Sequence, residues 1–121
     1  MLMLFIYGTL RDGARNRHVI DPFINWWEAA SASGRLFLHD KYPLFFPGDN
    51  GDVVGELVEL ENEGRALARL DKFEGPEYRR IEIDVTIKDG GGKAWVYVYY
   101  QDVPPANAQH IESGDWLEFG E

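Results

Sequence analysis

The sequence predicts an α+β domain in which strand-like stretches surround one clear helix. Three observations carry that reading. An unbroken apolar run over residues 2–7 closes at Gly8, which is the pattern of a buried strand. Residues 62–74, NEGRALARLDKFE, repeat apolar side chains at helical spacing. TIKDGGGKAWVYVYY sets two strand-like runs on either side of Gly90-Gly91-Gly92, the pattern of a hairpin with its bend on the glycines.

The remaining elements follow in order. Residues 14–25, ARNRHVIDPFIN, are weakly helical at the front and break at Asp21-Pro22, because proline pushes the residue before it out of helical geometry. After Trp26-Trp27 the SASGRLFLHD segment reads as extended. YPLFF follows, with Pro43 marking an edge or a strand start. The turn-rich PGDNGD then precedes VVGELVEL (53–60), which has strand composition and partial alternation. From Val103 a double proline introduces a tail expected to wrap the surface as far as Asp115-Trp116-Leu117. No internal repeat or linker interrupts the chain, so residues 1–121 are expected to form one domain.

Composition bounds the function. With 12 basic and 21 acidic residues the formal net charge is −9. That argues against nucleic acid and anionic membranes as partners, since both need clustered positive charge. The absence of cysteine rules out disulfides, thiol nucleophiles and Cys-ligated zinc. The N-terminal MLMLFIYG is apolar but lacks a basic flank and is too short to span a bilayer. A soluble, cytoplasmic protein is the expectation.

On a wheel of about 100° per residue, Ala66, Leu67, Leu70 and Phe73 share an arc about 120° wide, with Arg65, Arg69 and Lys72 opposite. Glu74 follows Leu70 by four residues and Leu67 by seven, so it projects from within the apolar arc. A carboxylate on a buried face is desolvated. In the last helical turn it also opposes the helix dipole. Both effects favour the neutral acid and raise the pKa. This geometry fits a catalytic acid or base, and it also fits a frayed helix end with Glu74 turned to solvent. FIYGTLRDG raises a parallel pair of readings. Gly8 lets a ligand approach main-chain N–H groups, which can hold an anion or a polarised carbonyl oxygen. The same stretch also reads as a strand-ending glycine with a turn threonine.

Taken together, FIYGTLRDGARN, GRLFLHDKYPLFFPG, GELVEL, LDKFEGPEYRR and AWVYVYY give a chain that resembles the γ-glutamylcyclotransferase-like family, in its AIG2-like and γ-glutamylamine cyclotransferase branch. The resemblance implies a mainly antiparallel, barrel-like sheet around a cavity, with the helix at its mouth. It implies that Tyr7, Gly8, Thr9 and Leu10 bind a γ-glutamyl group and that Glu74 performs the proton transfers. Tyr78 and Arg80 match the family's Y-x-R pattern, and Tyr99 lies on a strand that borders the cavity in relatives. The implied partner is a small γ-glutamyl substrate, with no cofactor and no metal. The implied reaction closes the glutamyl group to 5-oxoproline and frees an amine. The alternative is a non-catalytic small-molecule binding module that has kept the cavity. Neither the amine half nor an oligomeric state is assigned by these motifs.

Other motifs carry less. His18, His39 and His110 lack metal-ligand spacing and read as structural. PGDNGD lacks the twelve-residue calcium pattern, and GGGK lacks P-loop spacing. Asp71 and Glu77 flank Glu74 as a glycosidase pair would, but Asp71 points to the polar side of the wheel and Glu77 follows a proline. Trp26, Trp27, Trp95 and Trp116 are expected in the core.

Overall fold

A computed structural model describes residues 1–120. Its first strand, β1 (Leu2–Ile6), is buried on both faces, which accounts for its unbroken apolar run. The long strands β2 (Ile24–His39) and β3 (Tyr42–Leu60) form one antiparallel hairpin. Helix α1 (Glu63–Glu74) follows, then the hairpin of β4 (Tyr78–Ile87) and β5 (Gly90–Tyr99). A short β6 (Gln109–Ile111) and helix α2 (Trp116–Gly120) complete the order.

The sheet closes on itself. β3 pairs with β1, β1 with β5, β5 with β4, β4 with β2, and β2 returns to β3. Among the described residues only the β1–β5 contact, at Leu4 and Trp95, is parallel. β6 extends the outer edge of β2. The fold is therefore α+β, built on a mainly antiparallel barrel. Alternation divides β1 between two cores. Phe5 and Tyr7 join Phe45, Leu57, Val96, Val98 and Trp116 in one. Leu2, Leu4 and Ile6 lie in the other, against Ala66 and Leu70 of α1 and Tyr97. Leu70 is fully buried, worth about 1.5–3 kcal/mol for such a side chain.

Several expectations need correction. YPLFF, PGDNGD and VVGELVEL belong to one strand, β3. Its register against β2 jumps from Ser33↔Asp52 to Gly34↔Pro47, so residues 48–51 bulge outward as exposed backbone. That bulge frees the distal arm, residues 34–47, to continue past the barrel. Residues 14–25 contain two 3₁₀ turns, Arg17–Val19 and Asp21–Phe23. The β4–β5 bend falls on residues 88–89, and Gly90–Gly92 open β5. Gly91 serves close packing, since a Cβ there would strike the Val85 carbonyl. Of the tryptophans only Trp116 is core, while Trp26, Trp27 and Trp95 are 42%, 42% and 38% exposed. The Arg17 guanidinium covers the Trp27 ring at 5.2 Å. Among the described residues no helix is long and apolar enough to cross a membrane.

Candidate active site

A cavity of about 490 Å³ lies where β1 leaves the barrel. That volume is within the range of about 300–1,000 Å³ usual for small-molecule sites. Three segments enclose it: residues 5–10, the distal arm at residues 39–44, and residues 73–78 at the end of α1, with Tyr97 of β5. Tyr7, Gly8, Thr9, Leu10, Glu74 and Tyr78 all line it, so the structure brings together six of the residues expected from sequence.

Glu74 owes its place to the way α1 ends. Gly75 takes φ 78°, a left-handed conformation suited to glycine, and donates its N–H to the Asp71 carbonyl at 3.1 Å. Pro76 then prevents continuation. Glu74 is left as the last helical residue, facing the cavity. Among the described residues no cation or hydrogen-bond donor reaches its carboxylate. Burial raises its pKa from 4.5 to about 7. The side chain keeps partial exposure because it looks into the cavity.

Three phenols surround this acid, and each donates its proton away from it. Tyr7 donates to the Tyr97 carbonyl at 2.6 Å and Tyr78 to the Pro43 carbonyl at 2.8 Å. Tyr97 donates to Asp71 Oδ1 at 2.6 Å. Desolvation raises all three phenol pKa values, and the nearby Glu74 charge adds to the effect. They therefore remain neutral across the physiological range.

The loop after β1 is held rigidly from behind. Its carbonyls from Gly8 to Arg11 are engaged: Gly8 accepts from Arg11 N–H at 3.1 Å, Thr9 from Asn16 at 2.9 Å, and Arg11 from Ala14 at 2.9 Å. Leu10 accepts from Arg17 Nη1 at 3.3 Å. The N–H groups of Gly8, Thr9 and Leu10 have no acceptor among the described residues. Beneath the loop, buried Glu56 takes Arg17 Nη1 at 2.5 Å and the Asp12 N–H at 3.0 Å. Arg11 Nη1 reaches Asp115 at 2.8 Å. This network tethers the loop to β3 and to the start of α2.

Two expectations change here. Gly8 was read as making room for a ligand, but a Cβ at Gly8 would collide with the Pro43 ring. Its absent side chain is needed to seat the distal arm. Tyr99 does not line the cavity. It packs with Phe37, Leu44 and Phe46, because α1 covers β5 only as far as Tyr97 and the distal arm covers the strand beyond. Tyr97 takes the place expected of Tyr99, two residues earlier on the same face. Arg80 also lies outside the lining, paired with Asp71 at 3.0 Å. His39, read as structural, lines the cavity, as do Asp40, Tyr42, Pro43, Phe73 and Glu77. The helical wheel flagged Phe73. Nothing local in the sequence marked the β2–β3 turn as a cavity wall.

Residues 4–118 match the family model described as Gamma-glutamyl cyclotransferase, AIG2-like. The Gamma-glutamylcyclotransferase family protein YtfP of Escherichia coli strain K12 is 36% identical over 119 residues, covering 97% of each chain. The solution structure of ytfP from Escherichia coli gives a TM-score of 0.63 at 33% identity, over 99% of this chain and 100% of that one. Gamma-L-glutamyl-butirosin B gamma-glutamyl cyclotransferase of Niallia circulans is 34% identical over 96% of this chain and 76% of its own length. The crystal structure of YkqA from Bacillus subtilis gives a TM-score of 0.79 at 29% identity, covering 97% of this chain and 40% of that one.

Proposed function

From the premise that this chain belongs to the AIG2-like γ-glutamyl cyclotransferase family, we propose that it releases 5-oxoproline and a free amine from a γ-glutamylamine or γ-glutamyl peptide, with Glu74 as the single general acid and base. The observation that supports this reading is the unpaired Glu74 carboxylate inside the cavity, opposite a loop with three unaccepted N–H groups.

The chemistry asks little more of the protein. The substrate's α-nitrogen attacks its own γ-carbonyl carbon, so the nucleophile is already tethered and proximity comes largely from the substrate. The α-amine attacks in its neutral form, and Glu74 takes the proton that the nitrogen sheds as the new C–N bond forms. As the tetrahedral intermediate collapses, the bond from the γ-carbon to the leaving nitrogen breaks and Glu74 returns a proton to that nitrogen. One proton is taken and one returned, and no water or cofactor enters the balance. An acid titrating near 7 suits both halves of this cycle, because it is neither too weak a base nor too weak an acid at neutral pH. The Gly8–Leu10 N–H groups hold the α-carboxylate or the developing oxyanion. The rigid tether behind them holds the donors in place before substrate arrives.

The test is a panel of γ-glutamyl compounds assayed for 5-oxoproline, with wild-type protein and Glu74→Gln. Release by wild type, with loss of about 10²–10⁴-fold in the variant, supports the reading. A Glu74→Gln protein as active as wild type overturns it.

A further inference from the structure

Buried polarity in this chain is concentrated in one place. Among the described residues four polar or charged side chains are buried: Thr9, Arg11, Arg17 and Glu56. Thr9 and Arg11 belong to the loop after β1, and the other two reach it from the first 3₁₀ turn and from β3. Glu56 is the most deeply buried of the four, at 3% exposure. It faces Ile6 across the β1–β3 ladder, where Leu4↔Val58 and Leu2↔Leu60 are the other pairs on that face. All five of these apolar residues lie in the second core, so alternation assigns position 56 an apolar side chain. A carboxylate occupies it instead.

The contacts of Glu56 run to the loop and to the arginines that hold it. Both carboxylate oxygens accept the Asp12 N–H, at 3.0 and 3.1 Å. Oε1 also accepts from Arg17 Nη1, which reaches the Leu10 carbonyl at 3.3 Å as well. Oε2 lies 3.5 Å from Arg11 Nε, an ion-pair distance without a hydrogen bond. One side chain thus grips the loop at residues 10, 11 and 12, directly or through Arg17. The free N–H groups of Gly8, Thr9 and Leu10 stand just before these anchors. Stability does not account for the arrangement. Replacing a buried ion pair by well-packed apolar side chains is often neutral or stabilising, and the face around Glu56 is apolar already.

We propose that Glu56 is a positioning residue for the cyclisation, holding the loop in the shape that aims the Gly8–Leu10 N–H groups at the substrate. This rests on the cyclotransferase reading. Glu56 is not among the residues lining the cavity, so it acts only through the loop. Without it Arg11 and Arg17 lose their common partner, the anchors at Leu10 and Asp12 loosen together, and the donors lose their aim. A displacement of about 1 Å in a positioned group costs on the order of 10²-fold in rate.

The test separates positioning from stability. In Arg17→Met/Glu56→Leu both charges give way to apolar side chains, so the melting temperature should stay within a few degrees of wild type. The kcat/KM for 5-oxoproline release is measured at pH 8 on γ-glutamyl-butylamide and γ-glutamyl-alanine, and should drop about 10- to 100-fold. A folded double variant that keeps the wild-type kcat/KM overturns the proposal. The pH–rate inflection should stay near 7, because Glu74 is untouched. A displaced inflection would mean that Glu56 acts on Glu74 rather than on the loop, and overturns it too. If the double variant does not fold, Glu56→Gln is compared with Val85→Ala, a truncation at a buried core residue of β4. Loss of about tenfold or more in the first, with the second within about threefold of wild type, sustains the proposal. Equal rates in the two overturn it. No 5-oxoproline release by wild type overturns the cyclotransferase reading and the proposal with it, whereas release that survives the loss of Glu56 overturns the proposal alone.

Discussion

Arg80 closes on Asp71, with Nε 3.0 Å from Oδ1, while Glu74, three residues further along α1, has no cation partner among the described residues. Tyr97 donates to the same Asp71 oxygen, so Asp71 gathers the donors on this side of the helix. A paired Glu74 would have its charged form stabilised and its pKa lowered. The unpaired one is raised to about 7 by burial.

Arg80→Gln should therefore be mild. The Arg80 and Asp71 side chains are 33% and 50% exposed, and exposed pairs contribute about 0–1 kcal/mol. Thermal unfolding should shift by a few degrees at most, and kcat/KM should stay within about threefold, because Arg80 does not line the cavity. A folded Arg80→Gln protein that has lost turnover a hundredfold would place Arg80 on the substrate.

Gly8→Ala should destabilise the fold, because the new methyl meets the Pro43 ring. Overpacking of this kind costs about 1–3 kcal/mol. Ligand affinity should fall with it, since Pro43 and its Tyr78 bond form one wall of the cavity. Adding Pro43→Ala should recover much of the melting temperature. If Gly8→Ala abolished binding with no change in melting temperature, Gly8 would be making room for ligand after all.

The parts legible in sequence share a property: the signal was local. β1 announces itself because both faces are buried. Helix α1 was expected over residues 62–74 and runs Glu63–Glu74, since Gly75-Pro76 dictates where it stops. Glu74 could be placed because the same wheel that buries Leu70 turns it inward. What escaped the sequence depends on packing at long range. The Asp40-Lys41 turn becomes a cavity wall only because β3 bulges at residues 48–51 and frees the arm. Tyr97 and Tyr99 have the same strand parity, and only the reach of α1 across β5 decides which of them faces the cavity.

That distinction can be measured. Tyr99→Leu should lower the melting temperature, because Tyr99 packs against Phe46 at 6.1 Å between ring centres and against His39 at 6.5 Å. Affinity for a γ-glutamyl ligand should hold within about threefold if folding is complete, Tyr99 being outside the lining. Tyr97→Phe should weaken binding instead, because it removes the hydroxyl that ties the cavity wall to Asp71. Unchanged melting and weakened binding in Tyr99→Leu would return that residue to the site.

The acid–base assignment of Glu74 also predicts how stability depends on pH. Its pKa is about 7 in the folded protein against 4.5 for an ordinary glutamate. Between those values the folded state retains a proton that the unfolded state has released. Stability therefore falls as pH rises from 4.5 to 7 and levels off above, the opposite of a salt-bridged carboxylate. The full shift corresponds to at most about 3–4 kcal/mol, reduced by the water that reaches the cavity. Glu74→Gln has no such proton to lose, so the difference in unfolding free energy between variant and wild type should grow in the variant's favour across this window. In the same window kcat/KM of the wild type should rise as Glu74 ionises, with an inflection near 7 that the variant lacks. Denaturant unfolding at pH 4.5, 6 and 8 measures the first effect, and a pH–rate profile the second. A variant less stable than wild type at pH 8 would mean that the Glu74 charge is paired in solution, and the catalytic assignment would fall with it.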